Sequence, residues 1–404
     1  MNVLFLTLVK IDTLQQRGIY HDLMREFSAH GHNLYIVSPL ERRENKKTCI
    51  KTEGNTKFLN VKTLNILKTN FIEKGISTLS IEKLFLRAIK KYFSDVKFDL
   101  VIYSTPPITF TNLIKFIKKR DNAKTYLLLK DIFPQNAVDM QFMSEKGIFY
   151  KYFRNKEKEL YNISDKIGCM SKANVDFVLR HNSYIPKEKV EINPNSIQIQ
   201  GFEEISCEDK NQIKSKYNIP TDKKIFIYGG NLGKPQGIDF LIKTLNAEKE
   251  NKKGFFVIVG AGTEFEKIKD WIDKVNPQNV LLISFLPKND YDLLVRVCDV
   301  GLIFLHKDFT IPNYPSRLLS YLEYKIPVIA ATDKNTDIGE DIVNNNCGAA
   351  VCSDDIESMM KTVNLFAEMD KAEFEKMRQN SWDFLEREFQ AYMSYEKIMK
   401  SLNE

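Results

Sequence analysis

Short apolar runs alternate with amphipathic stretches along the whole chain, which is the pattern of parallel sheets covered by helices. In the first half, residues 3–9, 34–37, 100–103, 125–129, 166–170 and 190–193 read as strands. Helical spacing runs from Gly18 to about His30, with Gly31 as a C-cap, and again over residues 111–119. Residues 65–93 are apolar, basic and poorly punctuated, and predict one or two helices. In the second half the predicted strands are 224–228, 255–259, 280–284, 300–304 and 327–330, with helices over 237–246 and 263–275. Residues 373–402 form a long amphipathic stretch, with Trp382, Leu385, Phe389, Tyr392, Met393 and Ile398 on one apolar stripe.

The rhythm restarts after a polar, acidic stretch at about 201–222, so the 404 residues divide into two α/β domains. The expected boundaries are 1–200 and 201–380, with 381–404 a terminal helix that packs back on the first domain. No run approaches the roughly 20 apolar residues of a membrane span. Residues 3–9 have no basic leader or cleavage site and read as a core strand, not a signal peptide. Six scattered cysteines without a CxxC pair, and five histidines without an HExxH pattern, point to a reduced cytoplasmic protein with no metal centre. Charge sharpens the picture. Residues 1–200 carry 33 Lys and Arg against 20 Asp and Glu, while the remainder carries 26 against 33. A basic half implies an anionic partner, nucleic acid or membrane, unless it is only a lysine-rich solvated surface.

Ligands of open α/β sheets bind beyond the carboxyl ends of strands, so the residues after each strand are the candidates. Tyr228-Gly229-Gly230-Asn231-Leu232-Gly233-Lys234 gives strand, glycine-rich turn and basic residue, an arrangement that suits phosphate or a plain tight turn. Pro315 and Ser316 read as a helix start, with Ser316 as N-cap and Arg317 adding charge suited to a diphosphate. Asp131 follows a buried strand directly, as either a site carboxylate or a turn cap. Arg17 and Gly18 open the first helix, where glycine allows close ligand approach; His21 reads as a surface or core histidine. Val259-Gly260-Ala261-Gly262 lacks the third glycine of a dinucleotide fingerprint and reads as a tight strand–helix turn.

In this order, the Gly18 turn, Asp131-Ile132-Phe133-Pro134, Pro194-Asn195, the Gly230 loop, Val259–Gly262 and Pro315-Ser316-Arg317 resemble glycosyltransferase family four over nearly the whole chain. The Gly230–Gly237 loop and the Pro315–Tyr321 segment are similar to those of bacterial transferases of capsule and O-antigen assembly, including the N-acetyl-L-fucosamine transferases. The resemblance implies the GT-B architecture, two Rossmann-like domains with parallel sheets facing across a cleft. It implies a retaining transfer from a UDP-sugar, with no cofactor and no required metal. Donor binding falls to Gly229, Gly230, Asn231, Gly233, Lys234, Ser316, Arg317, Leu318, Ser320 and Glu323, and acceptor binding to Arg17, Gly18 and Asp131. Asp131, Lys234 and Arg317 are the expected catalytic residues.

The sequence departs from the family in places. Pro312 and Ser320 stand where most members carry a glutamate pair, which leaves Ser320 or Glu323 to meet the ribose. Asn231 and Gln236 replace the loop's usual Arg and Lys, and Lys130 stands where many relatives carry His. The acceptor implied is a polyprenyl-diphosphate-linked glycan at the anionic inner face of a bacterial cytoplasmic membrane, touched by residues 65–93 and 113–120. A sugar-nucleotide epimerase of the same architecture and a silent partner that only binds nucleotide sugar or lipid are the competing classes. Ser38 after the second strand disfavours a nicotinamide enzyme, and only the charge favours nucleic acid.

Overall fold

The computed structural model describes residues 1–66, 71–201 and 204–402, with backbone alone over 71–79. The chain forms two compact units: Met1–Gln198 together with Gln390–Glu404, and Ile199–Phe389.

The first unit is built on β1 (Asn2–Leu6), β2 (Asn33–Glu41), β3 (Cys49–Glu53), β4 (Thr56–Thr63), β5 (Leu100–Ser104), β6 (Lys124–Leu129), β7 (Lys166–Cys169) and β8 (Val190–Ile192). They form one sheet in the order β3-β4-β2-β1-β5-β6-β7-β8. Every pair is parallel except β3 with β4. The inner strands are buried on both faces, which is why they read as continuous apolar runs. From β1 the order steps one way to β2 and the other way to β5, so the carboxyl ends of β1 and β5 border a topological switch point.

The second unit carries β9 (Lys224–Gly229), β10 (Gly254–Val259), β11 (Val280–Ile283), β12 (Val300–Phe304), β13 (Val328–Thr332) and β14 (Gly348–Cys352). These run in the order β11-β10-β9-β12-β13-β14, all parallel. Its switch point lies between β9 and β12. The chain thus holds two parallel-sheet α/β units, the GT-B fold.

Several boundaries differ from expectation. The single C-terminal helix is two, Lys371–Glu388 and Ala391–Ser401, broken at Phe389 and Gln390. Residues 381–389 therefore belong to the second unit, and only the last helix joins the first. There Gln390 bridges Ile197 in parallel, the Tyr395 hydroxyl is hydrogen-bonded to His32 Nε2 at 3.0 Å, and Ile398 is fully buried. The break also divides the expected stripe: Tyr392 is exposed, while Phe384 and Tyr395 take buried places. Strands β3, β4 and β14 had no clear apolar signal, and the polar stretch before β9 holds a helix, Cys207–Lys216.

Where they are described, the two segments expected to meet lipid turn apolar side chains inward. In the helix Thr111–Asp121, Leu113, Ile114 and Ile117 face the core, Lys118 pairs with Asp165 at 2.7 Å, and Arg120 pairs with Asp121. Over 65–93 one helix, Phe71–Tyr92, is present, with Ile81, Phe85 and Ile89 buried. Residues 67–70 and the side chains of 71–79 lie outside the described residues. Among the described residues no helix is long and apolar enough to cross a membrane.

Candidate functional site

The switch point of the second unit is held open by a tyrosine. β9 and β12 pair only through Phe226–Val300 and Ile227–Gly301. Beyond that, Tyr321 Oη accepts the Gly229 N–H at 3.2 Å, and its one O–H is shared between the carbonyls of Ile227 (3.1 Å) and Leu302 (3.3 Å). The phenol is fully buried, and burial pushes its pKa up to about 12, against the lowering pull of Arg317. It remains a neutral hydrogen-bonding wedge.

Arg317 lies beside this wedge. It opens the short helix Arg317–Glu323, and its guanidinium sits 4.3 Å from the Tyr228 ring centroid. A Cβ on Gly230, whose φ is +137°, would stand 3.1 Å from Arg317 Nη2, so glycine lets the loop close over the cation. Tyr291 fills the neighbouring space, its hydroxyl 1.8 Å from where a Gly229 Cβ would be. Burial pushes the Tyr291 phenol well up and the Tyr228 phenol up as well. Arg317 is half-buried as a residue, with its guanidinium walled by Tyr228, Tyr291 and Tyr321, no carboxylate ion pair among the described residues, and Nη1 buried and unpartnered. A desolvated cation of this kind raises the free energy of the empty protein, and an arriving anion relieves it.

Part of the glycine loop's hydrogen-bonding capacity is used inside the unit. Three of its amides are engaged within the unit: Gly230 N–H with Val259 O (2.9 Å), Leu232 N–H with Ala261 O (3.0 Å) and Gly233 N–H with Gln236 Oε1 (3.2 Å). The Val259–Gly262 turn is the partner surface. Cβ atoms at Gly260 and Gly262 would meet Gly230 O at 1.8 Å and Leu232 O at 2.2 Å. That turn buttresses the loop. Asn231 is exposed, its amide Nδ2 bonded to Gln236 Oε1 at 2.9 Å, and Lys234 is half-buried in the 3-10 turn Lys234–Gln236.

Around Arg317 the other expected donor residues divide. Ser316 holds the N-cap position as expected, but it is exposed, has helical backbone angles and makes no side-chain cap bond. Leu318 is fully buried, and its amide bonds Pro315 O at 3.2 Å. Ser320 is half-buried, while Glu323, expected as a ribose partner, is 4% exposed on the buried face. Tyr228, Tyr291 and Tyr321 were not singled out. The one signal for Tyr321 was its place one turn after Arg317.

In the first unit, Asp131 lies at the carboxyl edge beyond β6. The Thr105 hydroxyl clamps the backbone, accepting the Lys130 and Asp131 amides at 2.9 and 3.1 Å and donating to Asp131 O at 3.0 Å. Asn136 Nδ2 reaches both carboxylate oxygens, at 2.7 and 2.8 Å. The carboxylate is thereby fixed in direction. Thr105 and Asn136 had no sequence signal for this role. Arg17 is half-buried; Gly18 donates its N–H to buried Asp22 at 3.1 Å, and Asp22 also pairs with Arg25. His21 is buried, and desolvation lowers its pKa.

A small cavity, about 10 Å³, is lined by Tyr20, Lys130, Asn193, Asn195 and Ser196, among others. That is room for one water. Lys130 is half-buried as a residue, but its ammonium is interior, with Asn193 O at 3.2 Å, and burial lowers its pKa from 10.5 to about 7. The folded state therefore holds fewer protons than the unfolded state between about pH 7 and 10.5, so stability from this group rises with pH across that window. Below about pH 7 the full penalty of a charged interior amine is present. Urea denaturation of wild type and Lys130→Met should show the difference shifting in favour of wild type between pH 6 and 10. A difference independent of pH would place the amine in water. Among the described residues no cluster of three or more His, Cys, Asp or Glu side chains stands ready for a metal.

Residues 209–382, all within the second unit, match the family described as glycosyl transferases group 1. The chain is a glycosyltransferase carrying a group 1 domain. The transferase is 21% identical over 333 residues to the probable glycosyltransferase WbjE of Pseudomonas aeruginosa, spanning 82% of this chain and 80% of that one. It is 23% identical over 263 residues to the putative colanic acid biosynthesis glycosyl transferase WcaI of Escherichia coli, spanning 63% and 62% of the two chains. Among solved structures, Anabaena HepE in complex with UDP and glucose shares its fold, with a TM-score of 0.69 at 13% identity over 100% of this chain and 99% of that one.

Proposed function

We propose that this transferase moves a sugar from a UDP-sugar to a polyprenyl-diphosphate-linked glycan during bacterial surface polysaccharide synthesis, with retention at the anomeric carbon. One observation carries the reading: the interior cation at Arg317, unpartnered at Nη1, sits under the Gly229–Gly230 loop at the switch point of the group 1 domain. A nucleoside diphosphate is an anion of the right charge for that position. HepE, which shares the fold, is known with UDP, and WcaI is described for colanic acid biosynthesis.

In this reading Arg317 offsets the charge that grows on the leaving diphosphate, with Lys234 at the loop's end as the second cation. The site acts without rearrangement because the tyrosines already hold the guanidinium in place. Asp131, held by Asn136 and Thr105, orients the acceptor hydroxyl, with Arg17 and Gly18 of the same unit as the other acceptor-binding residues. The family resemblance supplies the remaining step: an oxygen of the leaving β-phosphate takes the acceptor proton on the same face of the sugar. N-acetyl-L-fucosamine is the first donor sugar to test, and the inner face of the cytoplasmic membrane is the place of action.

The test is UDP release from a panel of UDP-sugars, UDP-N-acetyl-L-fucosamine included, with polyprenyl-diphosphate-linked acceptors present or omitted. Acceptor-dependent release from one donor is the expected result. Tight UDP binding without release from any pair would replace the transfer reading with that of a binding partner. Pro312 and Ser320, at the positions of the usual glutamate pair, are what make that second outcome worth measuring.

A further inference from the structure

Beyond Asp131 the chain carries apolar side chains that are largely exposed. Phe142 is 63% exposed, Ile148 85%, Phe149 74% and Tyr152 43%. The last three open the helix Ile148–Ile163, whose opposite side buries Glu157, Leu160 and Tyr161 in the unit. Positions 148, 152, 155 and 159 fall on one face, with 149 beside it. A clustered apolar patch of this kind marks an interaction surface, whereas scattered exposed residues do not.

The patch is fixed relative to the acceptor side of the unit. Phe153, on the same helix, packs its ring edge-on against Phe133 with centroids 5.0 Å apart, and Tyr150 Oη donates to Gln135 Oε1 at 3.4 Å. Phe133 and Gln135 belong to the segment that begins with Asp131. What the patch touches is therefore held near the carboxylate.

Charge selects the partner. The helix acids are engaged: Glu157 is buried and paired with Arg154, and Glu159 pairs with Lys156. Lys146, Lys151 and Lys158 are exposed around the apolar residues, against a single exposed acid in that stretch, Glu145. An apolar face rimmed by lysines matches an anionic bilayer, where rings and aliphatic chains enter the headgroup layer and ammonium groups meet lipid phosphate.

We propose that Phe142, Ile148, Phe149 and Tyr152, with Lys146 and Lys151, form the surface by which this protein docks on an anionic membrane. The surface differs from the two basic segments the sequence suggested, 65–93 and 113–120. The proposal rests on the lipid-linked acceptor reading for its purpose only, and binding is measured without any sugar so that the two fail separately.

The experiment is co-sedimentation of the full chain with phosphatidylcholine vesicles and with vesicles of equal phosphatidylcholine and phosphatidylglycerol. Wild type should bind the anionic vesicles, less so at high salt. The double variant Ile148→Ser, Phe149→Ser should lose about tenfold or more in partitioning. The variant Lys146→Gln, Lys151→Gln should lose the preference for phosphatidylglycerol. UDP release with a short-chain, water-soluble acceptor should be unchanged in both, which also reports that they fold. Undiminished vesicle binding by Ile148→Ser, Phe149→Ser would overturn the proposal. So would a wild-type dimer that this variant converts to monomer, which would make the patch a contact between copies.

Discussion

Replacing Arg317 with methionine is expected to lower turnover of the nucleotide-sugar donor by about 10²–10³-fold while the fold stays intact. Methionine has comparable length and no charge, so it fills the space between the Tyr228 ring and the Gly230 loop without the guanidinium. The stability change is expected to run opposite to the activity change. Arg317 places a cation among three phenols with Nη1 unpartnered, and stacking over Tyr228 returns only about 0.5–2 kcal/mol of the desolvation cost. Replacing a partly desolvated cation that has no carboxylate partner among the described residues by an apolar side chain is expected to be neutral or stabilising. Wild type should then be the variant whose melting temperature rises on adding UDP, and Arg317→Met should melt no lower than unliganded wild type. Donor turnover within twofold of wild type, or a melting temperature lowered by several degrees, would make Arg317 a packing residue.

Gly260→Ala is expected to destabilise the second unit by roughly 3 kcal/mol and to weaken donor binding with it. The added Cβ would lie 1.8 Å from Gly230 O, a backbone atom tied through its own amide to Val259, so no flexible side chain is available to yield. Relief requires the Gly229–Gly230 loop to move off Arg317. The contrast is Gly31→Asn: that position has φ +77° and nothing within 4 Å of a Cβ, and asparagine accepts the left-handed region. It should stay within about 0.5 kcal/mol of wild type. Urea titrations of the two variants decide the matter. Equal midpoints for both would mean that the turn does not support the loop.

The sequence showed most of what burial on both faces produces. Runs such as Val300–Phe304 and Gly254–Val259 are apolar throughout because helices cover both sides of a parallel strand. It hid β3, Cys49–Glu53, which pairs antiparallel at the sheet edge with its first four residues exposed and so carries lysine and threonine, not an apolar run. β14, Gly348–Cys352, is small-residue and only partly covered. At the site, Arg317 and the glycines were visible because charge and glycine after a strand are local signals. Tyr228, Tyr291 and Tyr321 were not, since they come from a strand, a distant helix and the helix of Arg317 itself and meet only in the fold. The choice between phosphate cradle and tight turn was open for the same reason. Whether an amide after a strand is open to phosphate depends on what packs beside it, and here Val259–Gly262 does.

The most direct measurement is calorimetric titration of the wild-type protein with UDP and with uridine. If Arg317 and Lys234 receive a diphosphate in the group 1 domain, UDP binds at least about tenfold more tightly than uridine, a difference that shrinks markedly in Arg317→Met. Equal affinities for the two ligands in wild type would contradict the account, because the interior cation would then have no part in holding the donor.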